Sequence, residues 1–235
     1  MPLDEPRYAR QLLMPEIGPE GQARLAKAKL LVVGAGGLGS PVLYYLTAAG
    51  VGTIGVVDCD VVSLSNLQRQ ILYAEEDIGL AKPQAAKARL EALNRHTAIT
   101  PYAQRLDGAN VRAIVGQYDV VVDATDNYVT RCLLDEATSA LGIPLIYGAI
   151  EGFRGQCAVL NMPPAGASYR ALFPTPPTGT APSPIGVVGA TAGTIGSVQA
   201  SQALQLALGH RPSLANQLLV VDLWHGSWET YSIPQ

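Results

Sequence analysis

Short apolar runs alternate with helix-like stretches through the first two thirds of the chain. The runs, rich in Val, Ile and Leu, predict buried strands at 30–33, 53–57, 99–103, 118–122 and 144–149. The stretches between them predict helices at 40–49, 84–93, 109–115 and 127–141. This alternation is typical of a Rossmann-like, doubly wound α/β fold with a mostly parallel sheet. Such sheets bind ligands beyond the carboxyl ends of their strands.

The pattern changes after residue 150. Further runs at 155–160, 217–223 and 228–233 predict antiparallel C-terminal strands. Residues 163–184 contain seven prolines and predict a crossover loop. Four glycines then recur at helical spacing, at Gly186, Gly189, Gly193 and Gly196. Because glycine weakens a helix, we expect another backbone, from the sheet or a second subunit, to approach this face closely.

A glycine-rich turn follows the first predicted strand. It contains Gly34, Gly36, Gly37 and Gly39. Glycines let the backbone approach a phosphate, and the N-terminus of the following helix supplies amide donors. Asp58 ends the next strand about 20 residues after the turn, where an acceptor for ribose hydroxyls is expected. The sequence therefore predicts a nucleotide site, with a tight turn that binds nothing as the alternative.

Length, composition and charge narrow the class of protein. The 235 residues are 48% hydrophobic, which suits one α/β domain with a sizeable core. Residues 1–27 of this domain are predicted to form an N-terminal helical arm that Pro15 and Pro19 divide. The net charge of -3 gives no reason to expect nucleic acid. Two uncharged stretches, 30–57 and 185–209, are interrupted by glycines or polar residues, so we expect no membrane span.

The cysteines and the N-terminus indicate the compartment. Cys59, Cys132 and Cys157 share no CxxC spacing, so we expect reduced thiols and no cysteine zinc site. The first ten residues are charged and resemble no signal peptide. We therefore expect a cytoplasmic protein.

Four polar residues indicate which nucleotide the site is expected to bind. Asn66, Arg69 and Lys82 follow the strand that ends at Asp58, and Asp126 follows the strand at 118–122. Arginine contacts phosphate oxygens in bidentate fashion, and lysine supplies a point charge. A carboxylate can hold a magnesium ion that bridges phosphates. NAD has no evident use for these four residues, whereas ATP with Mg²⁺ would use all of them.

These segments resemble the ubiquitin-activating-enzyme-like adenylyltransferases. That family contains the molybdopterin-synthase and thiamine-biosynthesis sulfur-carrier adenylyltransferases of the ThiF, MoeB and HesA type. The matching segments are RYARQ (7–11), VGAGGLGS (33–40), VVDCDVVSLSNLQRQ (56–70), GLAKP (79–83), DATDN (123–127), GFRGQ (152–156), YRALFP (169–174) and GTIGSVQA (193–200). The resemblance covers nearly the whole chain, and SNLQRQ and TDN are its most specific parts.

The resemblance implies a role for each site residue. Asp58 would bind the ribose and the glycine turn would contact the nucleotide. Asn66, Arg69 and Lys82 would hold the phosphates and Asp126 the magnesium ion. Arg10 would reach the active site of a partner subunit in a homodimer, and it would form the catalytic set with Arg69, Lys82 and Asp126.

The resemblance also implies the substrate and the reaction. The Gly-Gly C-terminal carboxylate of a small ubiquitin-like sulfur carrier would attack the α-phosphorus of ATP, giving an acyl-adenylate and pyrophosphate. A carboxylate is ionised at pH 7, so the reaction needs no general base. Catalysis would come from positioning and from cations on the phosphates. Carriers for molybdenum cofactor, thiamine, cysteine and tRNA thiolation all remain open.

The chain departs from the family's zinc site. Where many relatives carry a CYRC-like stretch, this chain reads SYRA at 168–171, and it contains no second CxxC pair. We therefore expect no zinc. No cysteine follows Cys157, so a covalent sulfur-transfer step is not expected either.

Three alternatives compete with this prediction. An NAD-dependent oxidoreductase is supported only by the glycine turn with Asp58. A relative that adenylates a modified tRNA base would share the motifs, but the acidic balance does not favour it. A non-catalytic binding subunit would not require Arg10, Arg69, Lys82 and Asp126 together.

Overall fold

One eight-stranded sheet organises the chain. The structure, a computed structural model, describes residues 6–164, 166–175 and 186–234. The strands are β1 (Lys29–Val33), β2 (Thr53–Val57), β3 (Ala98–Tyr102), β4 (Val120–Asp123), β5 (Leu145–Glu151), β6 (Arg154–Leu160), β7 (Gln217–Asp222) and β8 (Ser227–Ser232). Their order is β3-β2-β1-β4-β5-β6-β7-β8. The first five pair in parallel and β5 to β8 pair antiparallel, which confirms the predicted fold class.

Helices cover both faces of the sheet. They are α1 (Ala9–Leu12), α2 (Gly18–Leu25), α3 (Gly39–Ala48), α4 (Lys82–Leu93), α5 (Val111–Val115), α6 (Tyr128–Leu141), α7 (Tyr169–Leu172) and α8 (Gly189–Ala207). Because successive side chains of a strand point to opposite faces, Leu30 and Val32 join the apolar core of α3, α4 and α8. Leu31 and Val33 join the second core, with α5 and α6. No helix in the described part of the chain is long and apolar enough to cross a membrane.

Two helices differ from the prediction in ways that matter for the site. Helix α4 begins at Lys82 rather than at residue 84, because Pro83 is tolerated in the first turn of a helix. Helix α8 begins at Gly189, so the prediction that Gly186 shares its glycine face is wrong.

The glycines of α8 approach other backbones at only two of the three helical positions. A Cβ on Gly189 would lie 2.7 Å from the Gln68 carbonyl oxygen, and one on Gly196 would lie 2.5 Å from the Leu38 carbonyl oxygen. A Cβ on Gly193 would meet open space. At these two glycines the close approach is therefore to loop segments of the same chain and not to a strand, although other residues of α8 pack on β5 and β6.

The N-terminal residues pack at the amino edge of the sheet. The Tyr8 hydroxyl accepts a hydrogen bond from Asn94, directly after α4, and Gln22 donates to the carbonyl of Ala49, directly after α3. Helix α3 starts at the glycine turn and has ten residues, so this contact lies about 15 Å from the turn. Pro19 lies inside the first turn of α2 instead of dividing two helices.

Residues 165 and 176–184 of the predicted crossover loop lie outside the described residues, as do residues 1–5 of the predicted arm. Within the part that is described, 169–172 form the short helix α7.

Candidate active site

The segments singled out in the sequence meet at the carboxyl edge of the parallel strands. Val33, the last residue of β1, pairs with Val57 on one side and Asp123 on the other. The amide of Gly34 donates to the Val57 carbonyl at 2.8 Å. Gly34 has φ +94°, and a Cβ there would lie 2.5 Å from the carbonyl oxygen of Ala124. The glycine turn therefore contacts the segment that leads to Asp126, as a parallel sheet requires.

The glycine turn closes tightly. A Cβ on Gly39 would overlap the carbonyl oxygen of Gly34, so this turn excludes any larger residue. Gly37 faces the stem of Arg69, whose Cγ would lie 3.5 Å from a Cβ at residue 37. The Tyr73 hydroxyl donates to the Ala35 carbonyl at 2.8 Å and fixes the turn from behind.

Asp58 faces the same turn. One carboxylate oxygen accepts from the Ala35 amide at 2.8 Å and the other from the Asp60 amide at 2.9 Å. The side chain of Asp58 is only 10% exposed. It is thus fixed beside the turn as an acceptor, the position that the spacing predicts for a ribose contact.

Lys82 lies next to Asp58 in an unusual position for a cation. It is the first residue of α4, at the positive end of the helix dipole, and its side chain is 6% exposed. Its Nζ lies 3.0 Å from the Asp60 carboxylate and 4.0 Å from that of Asp58. The carboxylates of Asp58 and Asp60 compensate the positive charge of Lys82 at the edge of the site.

Arg69 and Asn66 come from the connector after β2. Asn66 ends a short 3₁₀ turn, and its carbonyl accepts from the Arg69 amide at 3.1 Å. The Arg69 guanidinium donates to the Ser65 carbonyl at 3.1 Å and is half-buried. The structure therefore brings Arg69, Lys82 and Asp58 around the glycine turn.

Asp126 lies in the loop between β4 and α6. It is exposed, and the next residue, Asn127, caps α6 by accepting from the Thr130 amide. Mg²⁺ in nucleotide sites uses one or two carboxylates together with phosphate oxygens and water. An exposed carboxylate in the loop that contacts the glycine turn fits that requirement, and Asp126 could hold the ion.

Arg10 is the one predicted site residue that lies elsewhere. It is exposed on α1, in the part of the chain that packs at the amino edge of the sheet. The other three residues of the predicted catalytic set lie at the carboxyl edge. Within one chain, the structure does not bring Arg10 together with them.

Several residues of this edge were missed from the sequence. Asp60 pairs with Lys82, and its separation of one residue from Asp58 was the available signal. Tyr73 is buried, and burial, followed by Asp58 and Asp77, raises the pKa of its hydroxyl, so it stays protonated and donates. Asp123, which is buried, and Arg131, which is half-buried, lie behind the Asp126 loop and were also missed. An arginine in the first turn of a helix runs against the helix dipole and is the signal that local reasoning could have used.

The segment at 168–171, where the resemblance leads us to expect zinc ligands in many relatives, is held by hydrogen bonds. The Ser168 side chain caps α7 by accepting from the Ala171 amide at 3.1 Å. The buried carboxylate of Asp135 accepts from the Tyr169 amide at 2.8 Å. Residues 168–171 offer no thiolate ligand for zinc. Cys59, Cys132 and Cys157 are all free thiols, and only Cys59 is exposed.

The sheet order and the polar side chains grouped at its carboxyl edge define a Rossmann-like, doubly wound α/β protein. Comparison with known proteins then identifies the family: the chain matches the ThiF family over residues 8–235 and belongs to it.

Two relatives illustrate the similarity in sequence. The chain is 47% identical to the sulfur carrier protein adenylyltransferase of Thermus thermophilus, over 97% of this chain and 86% of that protein. It is 45% identical to the SAMP-activating enzyme E1 of Haloferax volcanii, over 95% of this chain and 83% of that protein. Among solved structures, E. coli MccB with MccA-N7isoASN superposes with a TM-score of 0.89 at 18% identity, covering 99% of this chain and 72% of that one. This last similarity concerns the fold alone.

Proposed function

We propose that this protein is an ATP-dependent adenylyltransferase that activates the C-terminal Gly-Gly carboxylate of a small ubiquitin-like sulfur-carrier protein. The carboxylate attacks the α-phosphorus of ATP and gives an acyl-adenylate and pyrophosphate. The observation that carries the proposal is the grouping of Arg69 and Lys82 with Asp58 around the glycine turn. The names of the relatives that share the sequence over most of its length support the same activity.

The difficulty of this reaction is the approach of an anion to a polyanion. Arg69 and Lys82 neutralise phosphate charge, and Asp58 orients the ribose by accepting from its hydroxyls. Asn66 contacts the phosphates from the same connector. Asp126 would hold a magnesium ion, which supplies further charge neutralisation at the phosphates. The nucleophile is already ionised, so this set needs no general base.

The decisive test of the proposed function is ATP–pyrophosphate exchange with candidate carriers. We expect exchange that depends on one carrier and disappears when the terminal glycine of that carrier is removed. Exchange stimulated by tRNA without a carrier would instead indicate the tRNA-modifying alternative. Binding of NAD in place of ATP would indicate an oxidoreductase, and either result would contradict the proposal.

We also propose a homodimer in which Arg10 serves the site of the partner. Arg10 lies at the amino edge of its own sheet, so it can join Arg69 and Lys82 only across a subunit interface. A groove of about 530 Å³ between α3 and α8 offers a surface for a second copy. Tyr45 and Ile71 line it and are 55% and 60% exposed, and the open position at Gly193 lies in the same groove.

Mixing two inactive variants tests this arrangement. A mixed dimer of Arg10→Ala and Arg69→Ala contains one intact site, so random exchange of subunits restores about a quarter of wild-type activity. If Arg10 acted within its own chain, no activity would return. Ile71→Asp provides a second test, because a charge in the groove should shift the protein from dimer to monomer in size-exclusion chromatography.

Two further expectations belong to this proposal. We propose that residues 1–235 act as one adenylyltransferase domain and that the protein works in the cytoplasm. Three free thiols suit a reducing compartment.

A further inference from the structure

A partly buried polar cluster lies directly behind the loop that presents Asp126. It consists of Asp123 at the end of β4, Arg131 in the first turns of α6, and the peptide of Thr125 between them. Asp123 is fully buried. The proposed chemistry has no step for either charged side chain, so the cluster needs another explanation.

The cluster holds the Thr125 residue at both ends. On one side, a carboxylate oxygen of Asp123 accepts from the Thr125 amide at 2.9 Å and from its hydroxyl at 2.7 Å. On the other side, the Arg131 guanidinium donates to the Thr125 carbonyl at 2.7 Å. The peptide planes on both sides of Thr125 are therefore fixed. The second of these peptides leads directly into Asp126.

The same cluster ties the loop to the neighbouring strand and helix. Arg131 also donates to the Gly148 carbonyl of β5 at 3.4 Å, and its guanidinium carbon lies 5.2 Å from the centre of the Tyr147 ring. Gln199 of α8 donates to the carbonyl of Asp123 at 2.8 Å. Residues from three elements thus define one position for the loop.

The charges of the cluster depend on each other. Burial raises the pKa of Asp123, and Arg131 and the two Thr125 hydrogen bonds oppose that effect. Among the described residues, the second oxygen of Asp123 and the Nε of Arg131 have no hydrogen-bond partner. Truncating Arg131 would leave a buried carboxylate without its compensating cation and release the Thr125 carbonyl, so the loop would lose its support.

We propose that Arg131, acting with Asp123 through the Thr125 peptide, is a positioning residue that sets the place of Asp126 in the adenylation site. The inference rests on the proposed function, because Asp126 matters only if it acts at the nucleotide. Arg131 itself contacts neither substrate nor metal. Its effect on catalysis passes through Asp126.

A double-mutant cycle tests this dependence. We expect Arg131→Gln to lower carrier-dependent ATP–pyrophosphate exchange at saturating substrates about 10- to 100-fold, the cost of a displacement of about 1 Å. Arg131→Lys keeps the charge and should recover part of that loss. Adding Arg131→Gln to Asp126→Asn should lower the rate no further, whereas losses that multiply would overturn the proposal.

A matched control separates positioning from stability. Leu134→Ala removes a fully buried side chain from the same helix and should lower the melting temperature while the exchange rate below that temperature stays unchanged. If Arg131→Gln behaved like Leu134→Ala, losing stability and no activity, Arg131 would be merely structural and the proposal would fail.

Amide hydrogen exchange decides the question without catalysis. Arg131→Gln should speed exchange at residues 124–127 under native conditions, and Leu134→Ala should not. Unchanged protection in Arg131→Gln would overturn the inference. If the wild-type protein activated no carrier, the proposed function would fail, but this measurement would still test whether Arg131 holds the loop.

Discussion

Lys82→Met is the most informative single substitution at the site. Methionine keeps the length and the apolar stem of the side chain and removes only the charge. The wild-type Nζ lies 3.0 Å from the Asp60 carboxylate and 4.0 Å from that of Asp58, and the side chain is 6% exposed. The substitution therefore removes a buried cation with almost no change in volume.

The effect on stability should be moderate. Removing one member of a fully buried ion pair costs about 3–5 kcal/mol, and an exposed pair contributes about 0–1 kcal/mol. Here Asp60 is 65% exposed and stays hydrated, and Asp58 keeps two backbone donors. We therefore expect the free energy of unfolding to fall by about 1–2 kcal/mol.

The effect on catalysis should be larger. A cation on the phosphates stabilises the charge that develops in the transition state, and loss of one such contact lowers kcat about 10²- to 10³-fold, or about 3–4 kcal/mol. We expect kcat for ATP–pyrophosphate exchange to fall by this factor. The KM for ATP should change less, because the contact strengthens in the transition state.

The assay combines exchange kinetics with urea denaturation followed by circular dichroism. Lys87→Met is the matched control: Lys87 lies on the same helix, its side chain is 42% exposed, and it pairs with Glu91 at 3.6 Å. Its loss should change stability by about 0.5 kcal/mol or less and leave the exchange rate unchanged. A Lys82→Met protein with wild-type kcat would refute the assignment of Lys82 to the phosphates.

Three further predictions follow from the same structure. Gly39→Ala should lower the free energy of unfolding by about 1–3 kcal/mol and weaken nucleotide binding, because the new Cβ overlaps the Gly34 carbonyl; a calorimetric titration with wild-type affinity would contradict it. Tyr73→Phe should lower stability by about 1–3 kcal/mol, since the glycine turn loses a buried donor; an unchanged urea midpoint would argue against that role. His225, through a hydrogen bond, lowers the pKa of Asp222 to about 2, below its usual value of about 3.9. The ionised Asp222 carboxylate should therefore contribute to stability above pH 4, and this contribution should be lost as pH falls towards 2. Asp222→Asn should lack this part of the acid dependence of the melting temperature.

Local patterns in the sequence determined the architecture. Apolar runs and their alternation with helices predicted the parallel strands, because periodicity follows directly from which face of each element is buried. The same alternation placed Asp58 and Asp126 at the edge that carries the glycine turn, since parallel strands end together.

Only the tertiary structure decided how side chains pair across that edge. Lys82 meets Asp60, 22 residues away, because α4 starts at residue 82 and returns to the strand that ends before Asp58. Arg131 reaches Gly148 on a neighbouring strand. Such contacts depend on strand order, register and packing, and no local pattern encodes them. Arg10 is the clearest case: the sequence marks it as a site residue, and the folded chain places it at the opposite edge of the sheet.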